Sequence, residues 1–440
     1  MVIFMNKNKT VINLLILGLI SYFVKFLFNV FAAEHLSPEL YGDFSIALRG
    51  VFIISLLLLM GTNIASVKYI SLYFTDKNPE NATRFIKWNL KLVTKTFLIA
   101  FIVFTAIFLL LLFMHHLNFT NLGEHHYFVY ALWLAPFSAL LLLLSSVILS
   151  NRQNSLSLFF NKIAIYILLI LFMAATVFFL DITIGFFHLM LFLFLGFLLI
   201  IIVELFLVNK ILIKHEVNIT QKLINLKLKV HKKEWMSDSL SLTSGQIIFN
   251  LVCFFDLLVI EWVHPNEHSV GHYAAMQTIV NILWVVPSSV TSYFVPLITP
   301  LLEKKKYKEL QSHIDSANYV SLFVSVVMLS LIIVFSEYIL SLFGPSYIYA
   351  EIPLIVLSVV YFIGAAAFSN ARILTFLDPK MIMLINTCEL AVLIITSFPL
   401  TYYFGILGMT FAVLISVTTK TCFMYIYVKK KIPIKPFSLM

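Results

Sequence analysis

Two basic side chains, Lys25 and Arg49, interrupt apolar stretches near the start of the chain. Arginine binds anions through a planar fork and lysine as a point charge, so together they could neutralise an anion as highly charged as a pyrophosphate. The competing reading is that each side chain lies along apolar surface and reaches for water with its charged end. Further along, Thr243, Gln246, Asn250, Cys253 and Asp256 recur at steps of 3, 4, 3 and 3, on one face of a helix. Gln277, Asn281, Trp284, Ser288 and Thr291 recur at steps of 4, 3, 4 and 3 on the helix after it. Such stripes suit a polar cavity wall for hydroxyl-rich ligands. They equally suit bonding between helices with no ligand, worth about 0.6 kcal/mol per bond. Asp256 could pair with Lys25 or Arg49 as a gate, bind a coupling proton or Na+, or serve a structural ion pair. Glu389 and Lys420 could form a second pair with a gating or ion-coupling role. Lys68 reads as a lysine reaching for the interface, where it could also meet an incoming headgroup.

Other chemistries find little support. The histidines His115, His116, His125, His126, His264, His268 and His272 invite a metal reading, but Pro265 breaks the helical spacing and no supporting ligand pattern accompanies them. No metal site is expected. The chain has no Walker A or Rossmann glycine pattern, so it does not hydrolyse ATP by itself. No nucleophile stands beside a base, so an enzyme is not expected. No cofactor is implied beyond coupling to an H+ or Na+ gradient.

The elements that must position these residues follow from composition. Of 440 residues, 61% are hydrophobic and 12% charged, whereas soluble domains carry about a quarter charged. Apolar runs of roughly 20 residues cross a hydrocarbon core about 30 Å thick as helices. The fold class is therefore all-α, a polytopic integral membrane protein. The runs predict twelve spans, near residues 11–31, 41–70, 89–114, a fourth ending at 150, then 156–180, 183–208, 237–262, 271–301, 320–343, 352–374, 381–402 and 405–428. A secretory leader is disfavoured, because Lys25 interrupts the first run and no small-residue cleavage pattern follows. Cys253, Cys388 and Cys422 all lie in apolar segments, so no disulfide framework is implied.

Spans one to six (residues 1–208) and seven to twelve (residues 237–429) read as two lobes, with a tail at 430–440. The connector at 209–236 is basic, with seven lysines, and suits a cytosolic hinge resting on anionic headgroups. The formal charge of +9 points to topology rather than to nucleic acid, because Lys and Arg fall in alternate loops. The opposite loops, near 32–43, 115–127, 181–183, 262–272, 343–351 and 402–406, contain none. Both termini and the connector are thus expected in the cytosol. Along the predicted helices Lys25 lies ~9 Å, and Arg49 ~12 Å, from the outer end.

The two halves resemble each other at one place. LSPELYGDFSIA, leading into the second span, matches HPNEHSVGHYAA, leading into the eighth, and places Gly42 and Gly271 in register 229 residues apart. Repeats of this kind are a common transporter plan, with the site between the repeats.

The segments VGHYAAMQTIV, SLFGPSYIYAEIPLIVLSVV and MGTNIASVKYIS resemble the polysaccharide flippases. These are the Wzx-like exporters of the multidrug/oligosaccharidyl-lipid/polysaccharide (MOP) superfamily, and the resemblance covers nearly the whole length. It implies two six-helix lobes around a cavity that opens alternately to either face. It also implies an undecaprenyl-pyrophosphate-linked oligosaccharide as cargo, moved across a bacterial inner membrane for surface polysaccharides such as O-antigen. Related flippases place basic groups on their first two helices, which implies Lys25 and Arg49 as ligands. Gln246, Asn250, Asp256, Gln277 and Asn281 would then face sugar. Implied partners are the lipid-linked oligosaccharide, membrane lipids and other polysaccharide-assembly proteins. A drug/cation antiporter of the same superfamily would predict an acid-dominated cavity. A membrane-embedded polymerase or ligase would predict a large external loop, and all the outer loops here are short.

Overall fold

Hydrocarbon offers no water to backbone amides, so stretches this apolar must satisfy them internally as helices. The computed structural model describes residues 2–116, 126–180, 182–217, 228–263, 268–285, 287–288, 301 and 305–434, and among these the regular structure is entirely helical. In chain order the helices begin with α1 (Val2–His35), α2 (Pro38–Leu59), α3 (Thr62–Thr75), α4 (Pro79–His116), α5 (His126–Leu132) and α6 (Ala135–Ser150). Then come α7 (Asn154–Phe159), a π-helical turn (Phe160–Ala164), α8 (Ile165–Phe179), α9 (Phe186–Lys214) and α10 (Leu228–Val263). The remainder are α11 (Ser269–Val280), α12 (Tyr307–Val334), α13 (Ser336–Ser341), a 3-10 turn (Pro345–Ala350), α14 (Glu351–Ala366), α15 (Phe368–Leu377) and α16 (Pro379–Lys431). Among the described residues, ten helical segments are long and apolar enough to span a membrane. The last of them folds back at Gly405, whose φ of 56° and ψ of −135° are non-helical, so it holds the two spans expected at 381–402 and 405–428. The expected eighth span begins as α11, and much of its remainder lies outside the described residues.

Several spans differ in detail from their sequence limits. The second breaks at Met60 and Gly61, both with positive φ, giving α2 and α3 where one helix was expected. The third starts ten residues early, at Pro79, because its amphipathic first turns continue the helix beyond the apolar core. The basic connector is helical at both ends, continuing α9 to Lys214 and opening α10 at Leu228. Its middle, 218–227, lies outside the described residues.

The chain forms two compact units, one of Met1–Gly42 with Ile248–Met440 and the other of Asp43–Ile247. By contact, α1 belongs with the second half of the chain. In the Asp43–Ile247 unit, α6 packs against both α3 and α9. Small residues, among them Ala135, Ala139, Ser145 and Ser146, are buried along it, and small residues let membrane helices approach closely. Trp235, only 2% exposed, fixes the start of α10, with Phe85 and Trp88 at 5.3 and 5.4 Å and its Nε1 donating to Tyr73 Oη. In the other unit α14 packs on α16. Around α12, α15 and α16 the core gathers Leu310, Ile314, Ile373, Leu374, Met424 and Val428. Leu98, Ile99, Phe101 and Ile102 on α4 are each 58–67% exposed, as a lipid-facing stripe should be.

Candidate functional site

The unit of Met1–Gly42 and Ile248–Met440 carries a hydrogen-bonded centre on Asp256. Its carboxylate accepts from the Leu257 amide at 2.8 Å, from Tyr273 Oη at 3.2 Å and from Gln277 Nε2. Asp256 and Gln277 are 4% and 2% exposed, so the polar stripes predicted for α10 and α11 meet here, inside apolar helices. The Gln277 Oε1 acceptor is left without a partner. One turn on, the carbonyls of Thr278 and Ile279 accept from Tyr22 Oη at 3.2 and 3.1 Å, which docks α1 against α11. Asn281 lies just past the end of α11, half-buried. Trp284 stacks on Tyr361 with ring centres 4.7 Å apart and donates to its carbonyl. Thr291 lies outside the described residues.

Lys25 is half-buried on α1. Its carbonyl accepts from Asn29 Nδ2 at 2.7 Å, and Asn29 Oδ1 accepts from Tyr41 Oη at 2.9 Å. The turn that carries the lysine is thereby tied to the α1–α2 connection. Glu389 and Lys420 do pair, at 2.8 Å, and are 3% and 14% exposed at their side chains. The ammonium also lies 5.5 Å from the centre of the Phe249 ring. Asn250 is half-buried on α10.

Arg49 belongs to the Asp43–Ile247 unit, half-buried on α2, with Tyr166 of α8 within its electrostatic reach. Gln246 lies near the end of this unit, half-buried on α10. Lys68, expected to reach for the interface, is 54% exposed at its side chain and has a protein partner. Its ammonium sits on Asp238, which also accepts from Tyr69 Oη at 2.8 Å. Asp238, unremarkable in sequence, is brought there by the Trp235 anchor one turn before it.

Glu204 is a candidate that the spacing of polar residues leaves unmarked. It is an acid in the middle of the apolar helix α9 and is fully buried, at 0% exposure. The available signal was the intramembrane charge itself. Tyr22, Asn29 and Tyr41 gave no such signal, because uncharged tyrosine and asparagine stand out less than a charge in an apolar helix.

Among the described residues, no group of three or more His, Cys, Asp or Glu could hold a metal ion.

Comparison with known proteins places this geometry. The family described as "Polysaccharide biosynthesis protein" matches residues 8–302, and the MatE family matches residues 242–403. No curated protein matches the chain. Among solved structures, one is an inward-facing multidrug resistance MATE family transporter of the MOP superfamily. It is similar at 12% identity and a TM-score of 0.74, over 96% of this chain and 98% of that one. The inward closed form of the lipid II flippase MurJ is similar at 14% identity and a TM-score of 0.70, over 95% and 87%. An outward-facing MATE transporter of the same superfamily is similar at 14% identity and a TM-score of 0.67, over 97% and 96%. At these identities the likeness is one of fold. The all-α, polytopic fold expected from sequence is the fold observed, and it is similar to that of MATE transporters.

Proposed function

The chain belongs to the polysaccharide biosynthesis protein family, and from that premise we propose that it is a flippase for a lipid-linked oligosaccharide. In this reading it is a multi-pass membrane transporter of the MOP superfamily and not an enzyme. The cargo would be an undecaprenyl-pyrophosphate-linked glycan, moved to the outer leaflet of a bacterial inner membrane by alternating access, with both termini in the cytosol. One observation carries the proposal: the family match spans the intramembrane cations Lys25 and Arg49 and the Asp256–Gln277 centre. Lys25 and Arg49 would neutralise the pyrophosphate. Gln246, Asn250, Gln277 and Asn281 would offer amides to sugar hydroxyls, and the unpartnered Gln277 Oε1 is an acceptor of the required kind. The lipid II flippase among the structural neighbours supports a lipid-linked cargo. The two repeat lobes, 1–208 and 237–429, would move about the basic connector.

A drug or cation antiporter is the second reading, favoured by the MatE match over residues 242–403. Liposomes loaded with fluorescent polyprenyl-pyrophosphate glycan separate the two. Wild type should exchange the lipid between leaflets, and Arg49→Ala or Lys25→Ala should stop it while the protein stays folded. Export of a cationic dye against a gradient, with no lipid movement by any variant, would establish the antiporter instead.

A further inference from the structure

Among the described residues, three carboxylates are buried within membrane-spanning helices: Asp256, Glu389 and Glu204. The first has three hydrogen-bond donors and the second has Lys420. Glu204 has neither kind of partner. Both of its oxygens are shielded from solvent and accept no hydrogen bond. An ionised carboxylate left so would be far too costly in a low-dielectric interior.

The Ser145 hydroxyl of α6 is the side chain that acts on the carboxylate. Ser145 Oγ accepts from Asn161 Nδ2 at 2.6 Å and lies 3.0 Å from Ser157 Oγ. The Ser157 hydroxyl donates to the Ser145 carbonyl at 3.1 Å, and that of Ser145 is within bonding distance of the Ser157 carbonyl at 3.3 Å. A hydroxyl has one proton, and that of Ser145 is shared with Ser157, so the carboxylate is left without a firm donor. The Oδ1 of Asn161, whose Nδ2 meets Ser145, is likewise shielded from solvent and without a partner. Asn161 sits in the π-helical turn Phe160–Ala164, a distortion frequent at functional sites. No cation comes from α6 or α8, which pack on α9. α6 and α7 carry no titratable side chain, α8 carries only Tyr166, and Lys162 in the π turn is exposed.

We infer that Glu204, with Asn161 and Ser145, forms a site for a small monovalent cation, Na+ or a proton, within the Asp43–Ile247 unit. A hard cation prefers oxygen ligands of this kind, and either ion removes the uncompensated charge. As a coupling site it rests on the transport reading; as a cation site it stands without it.

Thermal unfolding of the purified full-length protein tests the site directly, in NaCl against choline chloride, over a range of pH. If Na+ occupies it, wild type melts higher in NaCl at fixed pH, and Glu204→Gln melts at the same temperature in both salts. Asn161→Ala should weaken the Na+ response by about tenfold in concentration, and it carries the test should Glu204→Gln not fold. If a proton occupies it, neither salt matters, and an infrared band of a protonated carboxyl is present in wild type and missing in Glu204→Gln. Equal salt responses in wild type and both variants, with no such band to lose, would overturn the site. Transport is not measured, so a failed flippase reading would leave this result standing, and the reverse.

Discussion

Gly42 and Gly271, 229 residues apart in sequence, meet in the structure. A β-carbon on Gly42 would lie 2.9 Å from the Gly271 amide nitrogen, and one on Gly271 would lie 2.0 Å from the Pro38 carbonyl oxygen. The two glycines were matched in sequence as corresponding positions of an internal repeat, and the fold lays one on the other. Where the backbones come this close, neither position has room for a side chain.

Gly271→Ala should therefore lower the melting temperature of the purified protein. The added methyl meets backbone, which cannot rotate away, and overpacking of this sort costs about 1–3 kcal/mol. Gly42→Ala should do less, because its contact is longer. A Gly271→Ala variant melting with the wild type would refute the close approach.

The Glu389–Lys420 pair predicts strong non-additivity. Lys420→Met alone strands a buried carboxylate and should destabilise by about 3–5 kcal/mol. The double variant Glu389→Gln/Lys420→Met should recover most of that loss, because the uncompensated charge is gone. Unfolding of both singles and the double gives the coupling. Simple additivity would mean that the pair is screened despite its burial.

If Arg49 grips an anion through its fork, Arg49→Lys should not replace it. Charge is kept but two-point bonding is lost, and one charge-assisted bond is worth about 1.5 kcal/mol or more, roughly tenfold. Lipid exchange should fall by about that factor, with Arg49→Ala lower still. Full activity in Arg49→Lys would reduce the arginine to a point charge.

Acid should weaken each unit through a group whose folded-state shift has the same sign as the other's. Burial, and then the Lys214 charge, hold His215 below its ordinary 6.5, where it stacks on Phe74 at 3.8 Å and bonds Asn151. The Tyr427 hydroxyl, and then the Met381 amide, hold Asp378 below its ordinary 3.8. In both cases the unfolded chain binds the proton more readily, so stability rises with pH. The His215 contribution is complete above pH 6.5 and declines as pH falls from there; that of Asp378 is complete above pH 3.8 and declines below it. Melting temperature against pH should flatten in the upper window for His215→Gln and in the lower one for Asp378→Asn.

Orientation is open to labelling. With Cys253, Cys388 and Cys422 replaced, a cysteine at Tyr403 should react with an impermeant thiol reagent in intact cells, and one at Lys306 only after lysis. The reverse pattern would invert the topology.

The sequence by itself determined the class, most of the spans and the division of charge between loops. These depend on transfer free energies that each segment carries wherever it lies. It also marked Asp256, Gln277, Glu389 and Lys420, because polar groups in apolar helices stand out without knowledge of their neighbours. Only the tertiary structure decided who meets whom. Lys68 found Asp238 because Trp235 anchors α10 beside α3, and Tyr22 found the α11 carbonyls 256 and 257 residues away. Asp256 and Glu204 both stand within apolar stretches of their helices and look alike in sequence. Tyr273 and Gln277 of α11 reach one, and the oxygens of the other accept no hydrogen bond; no local pattern records that difference, because those donors arrive on another helix.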